Sequence, residues 1–181
     1  GFAAIALAGT FWLKTGEEAG GEKRHVRIGY VSWAEGIAMT NLAKIVLEEE
    51  MDCTVSLTMA DPAPIFTSLY KSDLDFFLDA WLPLTHKPYM EKYKDRLVDL
   101  GYNYKDARIG LVVPAYAKIN AIPELNGAAA RYGHAITGID SGAGIMKVTN
   151  KAIKPYDLDR RLVASSGAAM TASLKDAVEG N

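Results

Sequence analysis

The hydrophobic pattern changes period repeatedly along the chain. Residues 25–32, HVRIGYVS, alternate apolar and polar positions as a half-buried strand does. Residues 36–51 then place Ile37, Leu42, Ile45, Val46 and Leu47 at helical spacing. Alternation returns over residues 53–59. A helix is predicted from Pro62 and Pro64 through Tyr70, because proline is tolerated in a first helical turn. Residues 74–78 read as a third strand, 86–94 as a polar, aromatic-rich helix, and 95–104 as a short strand and turn. Beyond them the pattern predicts a strand at 108–113, a helical turn at 122–125 and a strand at 134–140. A helix at 145–153, a strand at 161–164 and a last helix at 168–178 complete the series. Strands alternating with helices in this way predict an α/β fold with a mainly parallel sheet.

Residues 1–13, GFAAIALAGTFWL, stand apart as an almost continuous small, apolar run followed by a Gly-rich charged stretch, KTGEEAGGEK. Thirteen apolar residues are fewer than the roughly 20 needed to span a bilayer. The run reads as the remnant of a signal peptide or membrane anchor, or else as a short buried helix, and the stretch after it as a flexible tether. Leu7, Ala8 and Gly9 look like the approach to a lipoprotein cleavage site, with Thr10 in place of the lipidated cysteine. Residues 1–23 are therefore set apart, and the rest is divided into a first lobe, 24–106, and a partial second lobe, 107–181.

At 181 residues, with 49% hydrophobic and 23% charged positions, the chain is long enough for a sizeable core. A net charge of −2 leaves no basic footprint for nucleic acid. The single cysteine, Cys53, rules out an internal disulfide and fits a small buried strand position. His25, His86 and His134 have no metal-ligand spacing, no Gly-x-Ser-x-Gly elbow is present, and Cys53 has no evident histidine partner. No catalytic residue, metal or cofactor is assigned. His86 is expected on a solvated helix start.

The most informative segment is 75–83, DFFLDAWLP. An apolar strand ending in an acid, an alanine, Trp81 and a proline places an indole at the carboxyl end of a strand, where open α/β sheets bind ligands. Indole faces attract quaternary ammonium groups. Trp81 is thus a candidate cation platform, or a core aromatic plugging the strand end. Trp33, close before the turn at Gly36, is a second candidate, or a ring packed on the first helix. Asp79 either adds negative potential near a cation or, the favoured reading, caps the turn before Pro83. Gly36 and Ile37 begin the first long helix, whose exposed N–H groups suit a carboxylate. Gly142 and Gly144 open a later helix in a similar strand–glycine–isoleucine–helix unit. That weak echo suggests two lobes each aiming a helix start at a common cleft.

These residues carry a resemblance. The segments RIGYVSWAEGIAMT (27–40), LTMADPAPIF (57–66), DLDFFLDAWLPLT (73–85), KYKDRLVDL (92–100), RIGLVVPA (108–115) and GIDSGAGIM (138–146) resemble the substrate-binding components of glycine betaine/proline betaine ABC transporters, the OpuAC type. The resemblance implies a two-lobed periplasmic-binding-protein fold of the second type. It places Trp81 in an aromatic cage around a trimethylammonium group and the Gly36–Ile37 amides on the ligand carboxylate. It implies no enzymatic activity, and an extracytoplasmic protein, tethered or secreted, that serves osmoprotection. The partners implied are glycine betaine, proline betaine, carnitine or choline, and a membrane permease. Family members continue past the position equivalent to Asn181, with Gly-Trp and Pro-His-Trp segments that add cage rings and a histidine. An incomplete second lobe is therefore expected. A sensor or scaffold domain with a weak or lost site is the alternative, and an enzyme acting on choline esters is a third reading.

Overall fold

The computed structural model describes residues 2–7 and 23–180. The chain divides into two units, Gly1–Ala107 and Arg108–Asn181.

The first unit is built on a five-stranded sheet of order β3-β2-β4-β1-β5. Its strands are β1 (Phe2–Leu7), β2 (Arg24–Tyr30), β3 (Cys53–Met59), β4 (Phe76–Trp81) and β5 (Leu97–Tyr104). β2 pairs in parallel with β3 and with β4, and α1 (Ala34–Glu50) and α2 (Pro62–Lys71) make the crossovers that parallel pairing requires. Arg27 pins β2 to the start of β4. Its backbone N–H and guanidinium donate to the Asp75 carboxylate, and its carbonyl accepts from the Asp75 amide. Burial alone would raise the Asp75 carboxyl, but these Arg27 contacts outweigh it and hold it below the usual range. The main core gathers Ile5, Ile65, Phe66, Leu69, Leu74 and Phe77, and a second cluster joins Val26, Ile28, Cys53 and Val55.

Two expectations change here. The apolar opening contributes a strand rather than only a leader-like run. β1 lies antiparallel between β4 and β5, with Ala3 and Ile5 fully buried. Small side chains alternate well in a sheet interior, and an apolar run alone does not distinguish that use from a leader. Residues 8–22, with the cleavage-site resemblance, the tether and Trp12, lie outside the described residues. Of the predicted apolar face of α1, Leu47 packs on the second cluster, but the other four residues do not form the buried face. Gly36 and Thr40 are buried, whereas Ile37, Leu42, Ile45 and Val46 are exposed.

The second unit contains α4 (Ala129–Tyr132), α5 (Gly144–Ile153), α6 (Gly167–Glu179) and a parallel pair, β6 (Ala135–Thr137) with β7 (Arg161–Val163). Residues 108–113, expected as a strand, form none. A strand needs a hydrogen-bonded neighbour, and this segment instead lines an apolar cavity of about 530 Å³ with Ile136, Met146, Leu162 and Leu174.

Candidate functional site

The sheet of the first unit presents its candidate residues at the carboxyl ends of β2 and β4, where ligand sites form in open α/β sheets. Trp81 is the last residue of β4. The turn that follows, through a cis Leu82–Pro83 peptide, folds back onto it. The Trp81 N–H donates to His86 Nδ1 at 3.0 Å, and its carbonyl accepts from the His86 amide at 3.1 Å and the Thr85 hydroxyl at 3.2 Å. Both backbone groups of the tryptophan are thereby fixed. Because a backbone N–H can only donate, Nδ1 is the acceptor and the neutral ring carries its proton on Nε2.

His86 is the hub of this arrangement. It is 1% exposed, not solvated as expected. Its ring stacks on Trp33 at 6.1 Å between centroids with an 18° interplanar angle, and meets Phe66 edge-on at 5.4 Å. Phe66 in turn stacks on Tyr89 at 4.8 Å. Trp33 and Trp81 are both half-buried, so each retains some accessible surface.

Trp33 is also the residue preceding α1, in extended conformation, with no side-chain cap at the helix start. The Ile37 amide donates to the Trp33 carbonyl at 2.9 Å. It therefore closes the first intrahelical turn, and the amides of Ala34, Glu35 and Gly36 are those that helix geometry leaves without an intrahelical acceptor. Gly36 is buried and Ile37 is exposed.

Behind Gly36 lies Asp79, fully buried, with neither carboxyl oxygen in a hydrogen bond of normal geometry. It does not cap the turn before Pro83. A Cβ on Gly36 would sit 2.6 Å from Asp79 Oδ2 and 3.1 Å from Val31 Cγ2, so any larger residue there would force the carboxyl group or the backbone to shift. Burial raises the Asp79 carboxyl to about 8; the nearby charge of Glu35 adds to this, and the Trp81 indole opposes it.

Trp33, Gly36, Asp79, Trp81 and His86 thus form one linked set in the first unit. Gly142 and Gly144 belong to the second unit, where Gly144 opens α5 and is buried. Sequence reasoning missed His86 as the organising residue. The separation of five positions between Trp81 and His86, bridged by a proline turn, was the available signal. Among the described residues no group of three or more His, Cys, Asp or Glu side chains is placed to hold a metal, and no helix is long and apolar enough to cross a membrane.

Comparison with known proteins identifies the family. The family model for the substrate binding domain of ABC-type glycine betaine transport systems matches residues 24–181. The glycine betaine/carnitine transport binding protein GbuC of Listeria monocytogenes serotype 1/2a (strain 10403S) is 33% identical over 115 residues, which are 63% of this chain and 37% of that protein. Among solved structures, the glycine betaine, L-proline ABC transporter binding protein ProX of Borrelia burgdorferi superposes with a TM-score of 0.82 at 36% identity, covering 87% of this chain and 60% of that one. Lactococcal OpuAC, closed and complexed with glycine betaine, gives a TM-score of 0.81 at 34% identity, covering 87% and 61%. A choline binding protein in complex with choline, 21% identical with a TM-score of 0.69, shares the fold. The chain spans about three-fifths of the two closer solved structures and 37% of the curated relative.

Proposed function

The chain belongs to the family of substrate-binding domains of ABC-type glycine betaine transport systems, and from that premise we propose that it is the extracytoplasmic solute-binding component of such a transporter, taking a quaternary ammonium zwitterion of the glycine betaine type. The observation that carries the reading is the linked set around His86, which brings an indole platform and an uncapped helix start together. A trimethylammonium group has no hydrogen to donate, so a ring face is its best partner. Trp81 is assigned that role, with Trp33 beside it. The first turn of α1 receives the carboxylate, with the Gly36 amide as donor; the Ile37 amide, expected to share that role, already donates to the Trp33 carbonyl. Gly142 and Gly144 are proposed as backbone donors of the second unit. The bound solute passes to a membrane permease, and the protein itself performs no chemistry on it.

Calorimetric titration with glycine betaine, proline betaine, carnitine and choline tests this. Binding is expected for at least one carboxylate-bearing ligand and weaker binding for choline, which lacks the anion. Trp81→Ala is expected to weaken binding roughly 2- to 30-fold, corresponding to about 0.5–2 kcal/mol for one ring. A folded chain that binds none of the four sinks the proposal in favour of a scaffold or sensor role.

A further inference from the structure

Asp79 is absent from the ligand contacts assigned above, yet the backbone goes out of its way to place it. Between the pairs Ala3↔Ala80 and Ile5↔Phe77, one residue of β1, Ala4, faces two of β4, Leu78 and Asp79. This is a β-bulge, a device that re-aims a side chain and is common beside functional sites. The Leu78 carbonyl within it accepts from the Asn103 side chain at 2.7 Å, so the irregular backbone is supported. The bulge directs a fully buried carboxyl group, neither of whose oxygens makes a hydrogen bond of normal geometry, against the Cα of Gly36 in the first turn of α1.

We propose that the Asp79 carboxyl group governs the anion end of the site, admitting a ligand carboxylate at the first turn of α1 while it is protonated and opposing one when it is ionised. This deepens the solute-binding reading and rests on it. The positive end of a 17-residue helix attracts one negative charge well. An ionised Asp79 supplies that charge from inside the protein and repels a second carboxylate on the other side of Gly36. A protonated Asp79 leaves the helix end for the ligand. Burial and the Glu35 charge keep the carboxyl protonated up to about pH 8.

Of the other titratable groups on the packed elements, α2 brings Tyr70 and Lys71, and α1 brings Glu35 in its first turn and Lys44, Glu48, Glu49 and Glu50 in its later turns. The turn after β4 and α3 (Lys87–Lys92) bring His86, Lys87, Tyr89, Glu91 and Lys92. β2 brings Arg24, His25, Tyr30 and the Arg27 that is paired with Asp75, and β5 brings Tyr102, Tyr104 and Asp99, the last of these bonded to the Gly101 amide. β1 brings none. Asp79→Asn removes the ionisation of one group and leaves all of these in place.

The test measures glycine betaine affinity by calorimetry at about pH 6 and about pH 9.5, a range in which the ligand keeps both charges. For the unmodified chain, affinity is expected to fall by up to tenfold per pH unit above about pH 8, since binding is then linked to uptake of one proton. For Asp79→Asn the change between the two pH values is expected to stay under about twofold, whatever the absolute affinity. A flat profile in the unmodified chain, or the same decline in both proteins, overturns the proposal. If neither protein binds glycine betaine, the solute-binding reading fails, and acetate decides the role of Asp79 separately. Acetate then shifts the Gly36 amide resonance at about pH 6 but not at about pH 9.5 in the unmodified chain, and an equal response at both overturns it. Should Asp79→Asn fail to fold, the Gly36 amide of the unmodified chain must titrate together with the Asp79 carboxyl carbon, and independent titrations overturn the proposal.

Discussion

Asp79 has consequences for stability as well as for the ligand. In an unfolded chain an aspartate loses its proton near pH 4. In the fold its carboxyl holds the proton to about 8, because burial, assisted by Glu35, penalises the charged form. Between those values the folded state binds more protons than the unfolded state, so stability falls as pH rises, by up to about 1.4 kcal/mol per unit from this group. The contribution is complete below about pH 4 and is lost through about pH 8. Urea unfolding midpoints measured from about pH 5 to about pH 8 are therefore expected to decline more steeply for the unmodified chain than for Asp79→Asn. Equal slopes would show that the carboxyl is not held neutral. Gly36 is constrained by the same contact. The methyl group of Gly36→Ala would fall 2.6 Å from Asp79 Oδ2, and backbone movement to relieve it would displace the helix start. A loss of about 1–3 kcal/mol is expected from such overpacking, together with weaker ligand binding. An unchanged unfolding midpoint would mean that the carboxyl swings aside freely.

The elements that place these residues were legible to different degrees. Cys53–Met59 was recovered to the residue, since its alternation is set by one buried face of a strand paired with β2. α1 was recovered as a helix, but its orientation was not. Its large apolar residues at helical spacing were read as the core face, but of these only Leu47 packs on a core cluster, while Gly36 and Thr40 are the buried positions and Gly36 lets the backbone come close to Asp79 of β4. Periodicity weighs size and hydrophobicity and is blind to close approach. Leu42 is 63% exposed, so Leu42→Gln is expected to change stability by no more than about 0.5 kcal/mol. β1 shows the opposite error. Its strand character depends on pairing with β4 and β5, far away in sequence, and nothing local in FAAIAL announces those partners. Ile5 is fully buried against the core of the first unit, and Ile5→Ala is expected to cost about 2–5 kcal/mol in chemical unfolding. A cost below about 0.5 kcal/mol would remove β1 from the sheet. Trp81 and the start of α1 could be singled out as candidates because strand-end tryptophans and glycine-started helices have local signatures, and the fold links both to His86. The burial of His86 against Trp81 and of Asp79 against Gly36 could not be read, because a turn and a bulge that only the folded backbone defines bring them there.

At the scale of the whole chain, the two units differ in how much core they own. Both hydrophobic clusters, from Ile5 to Leu97, lie in the first unit. The second has two short strands, a cavity of about 530 Å³ lined by apolar side chains, and a buried Arg160 whose Nε makes no hydrogen bond among the described residues. Residues 108–113, which read as a strand in sequence, find no ladder there, so the pattern was right about their apolar character while the pairing that would make them a strand is missing among the described residues. The peptide joining the units follows β5. Lys105, Asp106 and Arg108 are exposed, outside any strand or helix, and Asp106 adopts a left-handed φ of 60°. Proteases need an extended, accessible stretch of several residues, which paired strands and packed helices deny them. Brief trypsin digestion is accordingly expected to cut first after Lys105 or Arg108, within the described residues, and to leave a resistant fragment carrying β2 to β5. That fragment holds Trp33, Gly36, Asp79, Trp81 and His86, and mass spectrometry of the early products identifies it. First cuts inside α1 or β5 would show instead that the first unit does not hold its own core, and the residues assigned to ligand binding would then lack a rigid support.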